Sequence, residues 1–249
     1  VDFWAEWCAP CRTLGPMLEN LAREGQGIFR LAKVNVDENQ NLALRYAVRS
    51  IPAVKAFRNG KMIAELIGLQ PESRLREFIR SIAPSQNDLI VEKANSLLDL
   101  LRAQEAEKSF RQVLEKSPEN SAALLGLAKS ILLQGRGAEG YAIVAKFPAS
   151  REFNSAETLK PLAQALADLE QAKPFSNDLP QDAVFYNALR LIKRNNLDAA
   201  MDGLLDILRE DKRYRDGLAR RVIVAILELL GENNPTAKQY RNELALVLF

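Results

Sequence analysis

Two of the 249 residues carry a thiol, Cys8 and Cys11, three positions apart, and the chain contains no histidine. Without histidine there is no Ser-His-Asp or Cys-His catalytic group and no His-ligated zinc, haem or non-haem iron. Two thiolates do not complete a structural zinc site, which needs a second pair of ligands. A disulfide scaffold would spread several cysteines along the chain. Thiol–disulfide exchange is the chemistry left to this pair, and neither a metal nor a cofactor is expected.

Exchange requires a thiolate, and the surrounding residues supply a place for one. Trp7-Cys8-Ala9-Pro10-Cys11 follows a β-rich run at 1–5 and opens a helix predicted over 11–24, with Leu14, Leu18 and Leu21 on one face. Cys8 then sits at a helix N-terminus, where unpaired N–H groups and the macrodipole favour negative charge. In such motifs a thiol with an ordinary pKa of ~8.5 is drawn to ~7 or lower. Cys11, one turn on, faces inward within reach of a disulfide. Pro10 lacks the N–H that would be orphaned at an early helical position.

The elements that hold this segment alternate in type. A strand is predicted over 29–36, a short helix over 39–46, and strands over 53–58 and 62–67 joined by the turn pair Asn59-Gly60. A final helix follows from Pro71, with Leu75, Phe78, Ile79 and Ile82 as its apolar face. Strands alternating with helices predict an α/β layer structure. The polar stretch 84–88 is the expected linker, dividing a first domain over 1–83 from a second over 89–249.

Beyond the linker the pattern is helical with a period of 34 residues. Ala94 and Ala128 are one period apart, as are Ala106 and Gly140, and Phe110 and Val144. Small residues at one phase and a large apolar residue four further on allow the helices of a hairpin to approach closely. Pro118 ends one helix and Asn120 caps the next. A third unit fits from Gln181, placing Ala188, Ala200 and Leu204 in phase. An extra helix at 155–172 and a loop at 173–180 interrupt the array. A last helical pair is predicted over 215–230 and 236–248. Its final helix lines up Ala237, Tyr240, Leu244, Val247 and Leu248 and ends in Phe249, as a cap for the array or a docking face for a partner. This half has no cysteine and no Gly-rich phosphate loop, and its carboxylates read as solvated helix faces.

The segment from Val1 to Cys11, Val-Asp-Phe-Trp-Ala-Glu-Trp-Cys-Ala-Pro-Cys, resembles the active-site segment of thioredoxins. Lys33-Val34-Asn35-Val36-Asp37 resembles the family's central strand, Ser50-Ile51-Pro52-Ala53 its cis-proline loop, Asn59-Gly60-Lys61 its hairpin, and Gly68 the glycine before its last helix. The resemblance implies that Cys8 is the attacking thiolate and Cys11 the resolving thiol. It implies that Asp2 is the buried carboxylate taking the proton of Cys11, with Lys33 near it. It implies a cis Ile51-Pro52 peptide beside the disulfide, whose backbone pairs with a client segment. Trp7, Ile51 and Pro52 would form the client-binding surface. Ala9 stands where thioredoxin usually has glycine, which puts the redox potential in question. The family's first strand and helix have no counterpart before Val1, so a truncated start is expected. The bland alternatives are that Asp2 is a plain core carboxylate and Lys33 a solvated strand lysine.

The second half resembles tetratricopeptide repeats, although most of that motif's aromatic and Leu-Gly positions are missing; the alternative is a generic helical bundle. A thioredoxin-like α/β domain followed by tetratricopeptide-like helical repeats resembles the bacterial chaperedoxins. Arg213-Tyr214-Arg215-Asp216-Gly217, Leu229-Leu230-Gly231, Asn234-Pro235 and Tyr240-Arg241-Asn242-Glu243-Leu244-Ala245 look like that family's closing pattern. The resemblance implies an ATP-independent holdase that binds unfolding proteins, guards their cysteines as mixed disulfides and passes them to the chaperonin or Hsp70 system. Both cysteines are kept, as in members able to cycle as oxidoreductases. Thioredoxin reductase is a further implied partner. The alternatives are a protein disulfide reductase with the repeats as scaffold, and an adaptor with a vestigial redox site. A net charge of +2 argues against nucleic acid as a partner. No apolar run reaches the ~18 residues of a membrane span. The resemblance, together with the lack of a visible export segment, leads to a cytoplasmic expectation.

Overall fold

The computed structural model describes residues 1–58, 60–173, 175 and 179–248. Asn59 of the expected turn pair, Pro174 and residues 176–178 of the expected loop, and Phe249 at the end of the last helix lie outside the described residues. The chain divides into two compact units, Val1–Ser85 and Gln86–Phe249.

The first unit runs β1 (Asp2–Trp4), α1 (Ala9–Glu24), β2 (Lys33–Asn35), α2 (Gln40–Arg45), β3 (Ala53–Arg58), β4 (Lys61–Ile67) and α3 (Glu72–Ile82). The strands form one sheet in the order β2-β1-β3-β4, with β1 parallel to β2 and antiparallel to β3. Asp2 pairs in register with both Lys33 and Val54, so these three side chains share a face of the sheet. Leu14, Leu18 and Leu21 of α1 and Leu75 of α3 pack with Val54 there, with Phe78 and Ile79 partly buried beside them. The apolar face expected for α1 is therefore the one used, and that of α3 is used except for Ile82, which lies outside this cluster.

Local boundaries differ from the sequence expectation. Helix α1 starts at Ala9, two residues earlier than predicted, because Cys8 takes the cap position and Pro10 lies in the first turn. The strand predicted over 29–36 shrinks to Lys33–Asn35. Its only neighbour among the described residues, β1, is three residues long, and Phe29 and Leu31 pack instead against the α1–α3 cluster. Helix α3 begins at Glu72, with Pro71 as its cap residue in extended geometry.

The second unit is helical: α4 (Gln86–Asp99), α5 (Ala103–Lys116), α6 (Ser121–Leu133), α7 (Gly137–Val144), α8 (Phe153–Glu170), α9 (Asp182–Lys193), α10 (Leu197–Glu210), α11 (Tyr214–Leu230) and α12 (Pro235–Leu248). Helix α4 starts inside the expected linker, so residues 86–88 are helical. Every position in the 34-residue phase is buried: Ala94, Ala106, Phe110, Ala128, Gly140, Val144, Ala188, Ala200 and Leu204. The small residues mark close approaches. A Cβ on Gly126 would lie 2.2 Å from the Phe110 ring, and one on Gly137 would lie 2.3 Å from the backbone nitrogen of Ala167. Asn120 caps α6 by accepting the Ala123 N–H at 2.9 Å. No side chain at the N-cap of α7 does this; the carboxylate of Glu170, on α8, instead accepts the N–H groups of Gly137 and Ala138 at 2.7 and 2.9 Å. In α12, Ala237, Tyr240 and Leu244 are buried, and the Tyr240 hydroxyl donates to Asp202 at 2.7 Å.

Candidate functional site

Strand β1 delivers the chain to the cysteines. Phe3 and Ala5 are fully buried, the Trp4 carbonyl accepts the Val36 N–H at 2.9 Å, and the Ala5 carbonyl accepts the Cys8 N–H at 3.2 Å. The turn between them leaves Cys8 as the cap residue of α1, in extended geometry, with its Sγ accepting the Cys11 N–H at 3.2 Å. Cys8 and Cys11 are joined as a disulfide, Cα atoms 5.3 Å apart. Both residues are 4% exposed, so burial does not distinguish them; the cap does. The N–H group aimed at Cys8 becomes a charge-assisted donor once that sulfur is a thiolate, and the helix N-terminus adds its partial positive charge. Cys11, already inside the first turn, has no such position.

Trp4, Val36 and Ile51 pack around Ala5, Cys8 and Cys11. The Ile51-Pro52 peptide bond is cis. Pro52 is buried, and its carbonyl accepts the N–H of Gly68 at 2.8 Å. Gly68 has φ +81°, a left-handed backbone that side chains disfavour. Among the described residues, Ile51 makes no backbone hydrogen bond. Trp7 is 69% exposed, its ring held by an Nε1–H bond to the Asp37 carboxylate at 2.9 Å. Cys8, Cys11 and Ile51 are thus brought together in one cluster, with Pro52 next in the chain, while Trp7 stands out from the surface.

Asp2 lies under the sheet face that α1 covers. It is 1% exposed, and among the described residues neither carboxylate oxygen has a hydrogen-bond partner. Burial pushes its pKa above the ordinary carboxylate value, against the opposing pull of the Lys33 ammonium. Lys33 pairs with Glu19 of α1 at 2.9 Å and stands 5.4 Å from the centre of the Trp4 ring. It is half-exposed rather than buried against Asp2.

Two features escaped sequence reasoning. Lys55 on β3 is 3% exposed and pairs with Glu65 on β4; the register of the hairpin, which places these two opposite each other, was the available signal. In the second unit, Asp182 accepts from Tyr214 Oη at 2.7 Å and from the Arg215 guanidinium at 2.9 and 2.6 Å. Those donors hold the Asp182 pKa down at about 2. Arg215 also stacks 3.6 Å above Phe175. Arg215, Asp216 and Gly217 are all left-handed, a conformation costing non-glycine residues ~1–2 kcal/mol each, and the bonds to Asp182 offset it.

Comparison with known proteins divides the chain in the same way. Residues 1–81 match the thioredoxin family, and residues 97–157 and 157–249 match two tetratricopeptide repeat families. Thioredoxin of Rickettsia conorii is 44% identical over 79 residues, 32% of this chain and 75% of its own. That of Pseudomonas aeruginosa is 42% identical, over 32% of this chain and 73% of its own. The solved thioredoxin of Fasciola hepatica is 39% identical over 32% of this chain and 75% of its own, with a TM-score of 0.31. Such a cysteine pair is suited to thiol–disulfide exchange, and stacked helical repeats to binding proteins. Through residues 1–81 the chain belongs to the thioredoxin family, here fused to tetratricopeptide repeats.

Proposed function

We propose that this protein is a redox-active holdase: the repeats retain unfolding proteins, and the Cys8–Cys11 couple protects or reduces their cysteines. The observation that carries the reading is a disulfide-bonded cysteine pair at a helix N-terminus on the same chain as a unit that matches tetratricopeptide repeats. Tethering raises the local concentration of a held client's sulfurs at Cys8.

The chemistry runs from the reduced pair. The Cys8 thiolate attacks one sulfur of a client disulfide; the client S–S bond breaks, a Cys8–client bond forms, and the departing client thiolate takes a proton from solvent. Cys11 then gives its proton to the Asp2 carboxylate and attacks Cys8 Sγ, releasing the second client thiolate. Two electrons pass to the client, and Cys8–Cys11 is left as a disulfide. A raised Asp2 pKa makes it a better proton acceptor near neutral pH. Ile51, with no backbone bond of its own among the described residues, offers N–H and C=O to an extended client strand. Pro52 fixes that segment beside the disulfide, and exposed Trp7 gives the client an apolar rim. Clients then pass to the chaperonin or Hsp70 system of the cytoplasm, and thioredoxin reductase restores the dithiol.

An aggregation assay with a chemically unfolded client tests the holdase role. The full chain should suppress light scattering, and Cys8→Ala should keep that suppression while losing disulfide reduction. A Cys11→Ala variant should trap clients as mixed disulfides on Cys8. Scattering unchanged by the full chain removes the holdase role. If reduction nevertheless persists, the second reading stands, a thioredoxin-type reductase with the repeats as scaffold; the retention of both cysteines in bonding distance favours it.

A further inference from the structure

The interruption of the repeat array creates a cavity. It opens between α8, the segment after it, α9 and α11, with a volume of about 680 Å³, the size of a site that takes a small ligand or a few side chains. Its aromatic lining consists of Tyr141, Phe175, Phe185 and Tyr186. The ring centres of Phe175 and Phe185 are 5.8 Å apart and those of Phe175 and Tyr186 5.2 Å. Phe175 is fixed from two sides: its N–H donates to Tyr186 Oη at 3.0 Å, and Arg215 stacks on its ring. The apolar surface is therefore preformed.

Five charged side chains line the same cavity. Glu157 is paired with Lys160. The Asp168 carboxylate accepts from Gln164 at 2.8 Å. The remaining two, Lys173 and Arg221, are exposed and have no acidic partner among the described residues. The Gln164 amide leaves the charge of Asp168 in place, so outside the Glu157–Lys160 pair the lining carries two cations against one carboxylate; this net positive charge over an aromatic floor is complementary to an apolar side chain flanked by carboxylates.

We infer that this cavity is a peptide-binding site, selective for partner segments in which a large aliphatic or aromatic residue is flanked by acidic residues. The inference rests on the reading of the repeats as a protein-binding unit, and it adds a specificity that the 34-residue pattern does not carry. It does not involve the cysteines.

Three end-blocked, dye-labelled heptapeptides test it by fluorescence anisotropy on the full chain. They share a Leu-Trp-Leu centre, contain no cysteine, and carry Glu, Gln or Lys flanks. The Glu-flanked peptide should bind about tenfold more tightly than the Lys-flanked one at low salt, and the gap should close as salt screens the charges. Lys173→Glu with Arg221→Glu should reverse the order. Gln164→Trp, at an exposed position on the rim, should weaken all three peptides, with far-UV circular dichroism unchanged. Equal binding of the three peptides, no binding of any, or a preference that survives both sets of substitutions overturns the inference. Because the peptides lack cysteine and no unfolding client is present, such a failure leaves suppression of aggregation and disulfide reduction to be judged on their own assays.

Discussion

Asp2 has both carboxylate oxygens buried, with no donor for either among the described residues. A buried charge without partners is costly, and the proposed use that offsets this cost is to take the proton of the resolving thiol. Asp2→Asn should therefore stabilise the oxidised protein by about 2 kcal/mol at pH 8 while slowing the second exchange, so that mixed disulfides build up on Cys8. The pH dependence follows from the raised pKa. Well below the ordinary aspartate pKa of ~3.9 both folded and unfolded states hold the proton. As pH rises toward the folded value the unfolded state ionises first, so the wild-type protein loses stability relative to the variant, and the deficit levels off above that value. Urea titrations of both proteins at pH 4 and pH 8 measure it; equal differences at the two pH values contradict the burial argument. At this scale the bonded cysteine pair, its place at a helix start and the cis proline were legible because their signals are local: a cysteine spacing, a proline position, a strand-to-helix junction. Asp182 and Arg215 were not. They lie 33 residues apart on different helices, and periodicity alone assigns such charges to solvent.

At the scale of elements, the repeat helices are placed by what their small residues allow. Gly137 opens α7 and Gly203 lies inside α10, and their surroundings differ. A Cβ on Gly137 meets backbone atoms of α8, Ala167 N at 2.3 Å and the Leu166 carbonyl carbon at 2.4 Å, and no side-chain rotation relieves that. A Cβ on Gly203 finds Val184 Cγ1 at 3.7 Å, an ordinary contact. Gly137→Ala should cost about 2–3 kcal/mol by forcing α7 from α8; Gly203→Ala should gain about 0.5–1 kcal/mol from helix propensity. Thermal unfolding followed at 222 nm reads both, and shifts of the same sign count against packing as the controlling term. The 34-residue phase was readable because each repeat buries the same positions. The short β2 was not, because alternation around Val34 and Val36 reports the tendency to extend and says nothing of how many residues the neighbouring strand offers. Nor was the cap of α7 by Glu170, since a carboxylate 33 residues away leaves no mark at the helix start.

At the scale of the molecule, the two units have separate cores. One cluster holds only residues of the helical unit, from Val91 to Leu244; the α/β unit relies on two smaller clusters, of which the larger is Leu14, Leu18, Leu21, Val54 and Leu75. A core that small offers little apolar burial to offset chain entropy, whereas neighbouring repeats reinforce one another. The probes separate naturally. Trp4 and Trp7 are the only tryptophans, so indole fluorescence reports the α/β unit, while ellipticity at 222 nm is dominated by the nine helices described for the other unit. A urea titration of the oxidised protein should give two transitions, with the fluorescence midpoint at lower urea than the ellipticity midpoint. Adding a thiol reductant should move the fluorescence transition and leave the ellipticity transition in place, since both cysteines lie in the α/β unit. Coincident midpoints, or a reductant effect on both, mean that the units unfold as one, and a client held on the repeats would then feel the redox state of Cys8 and Cys11 directly.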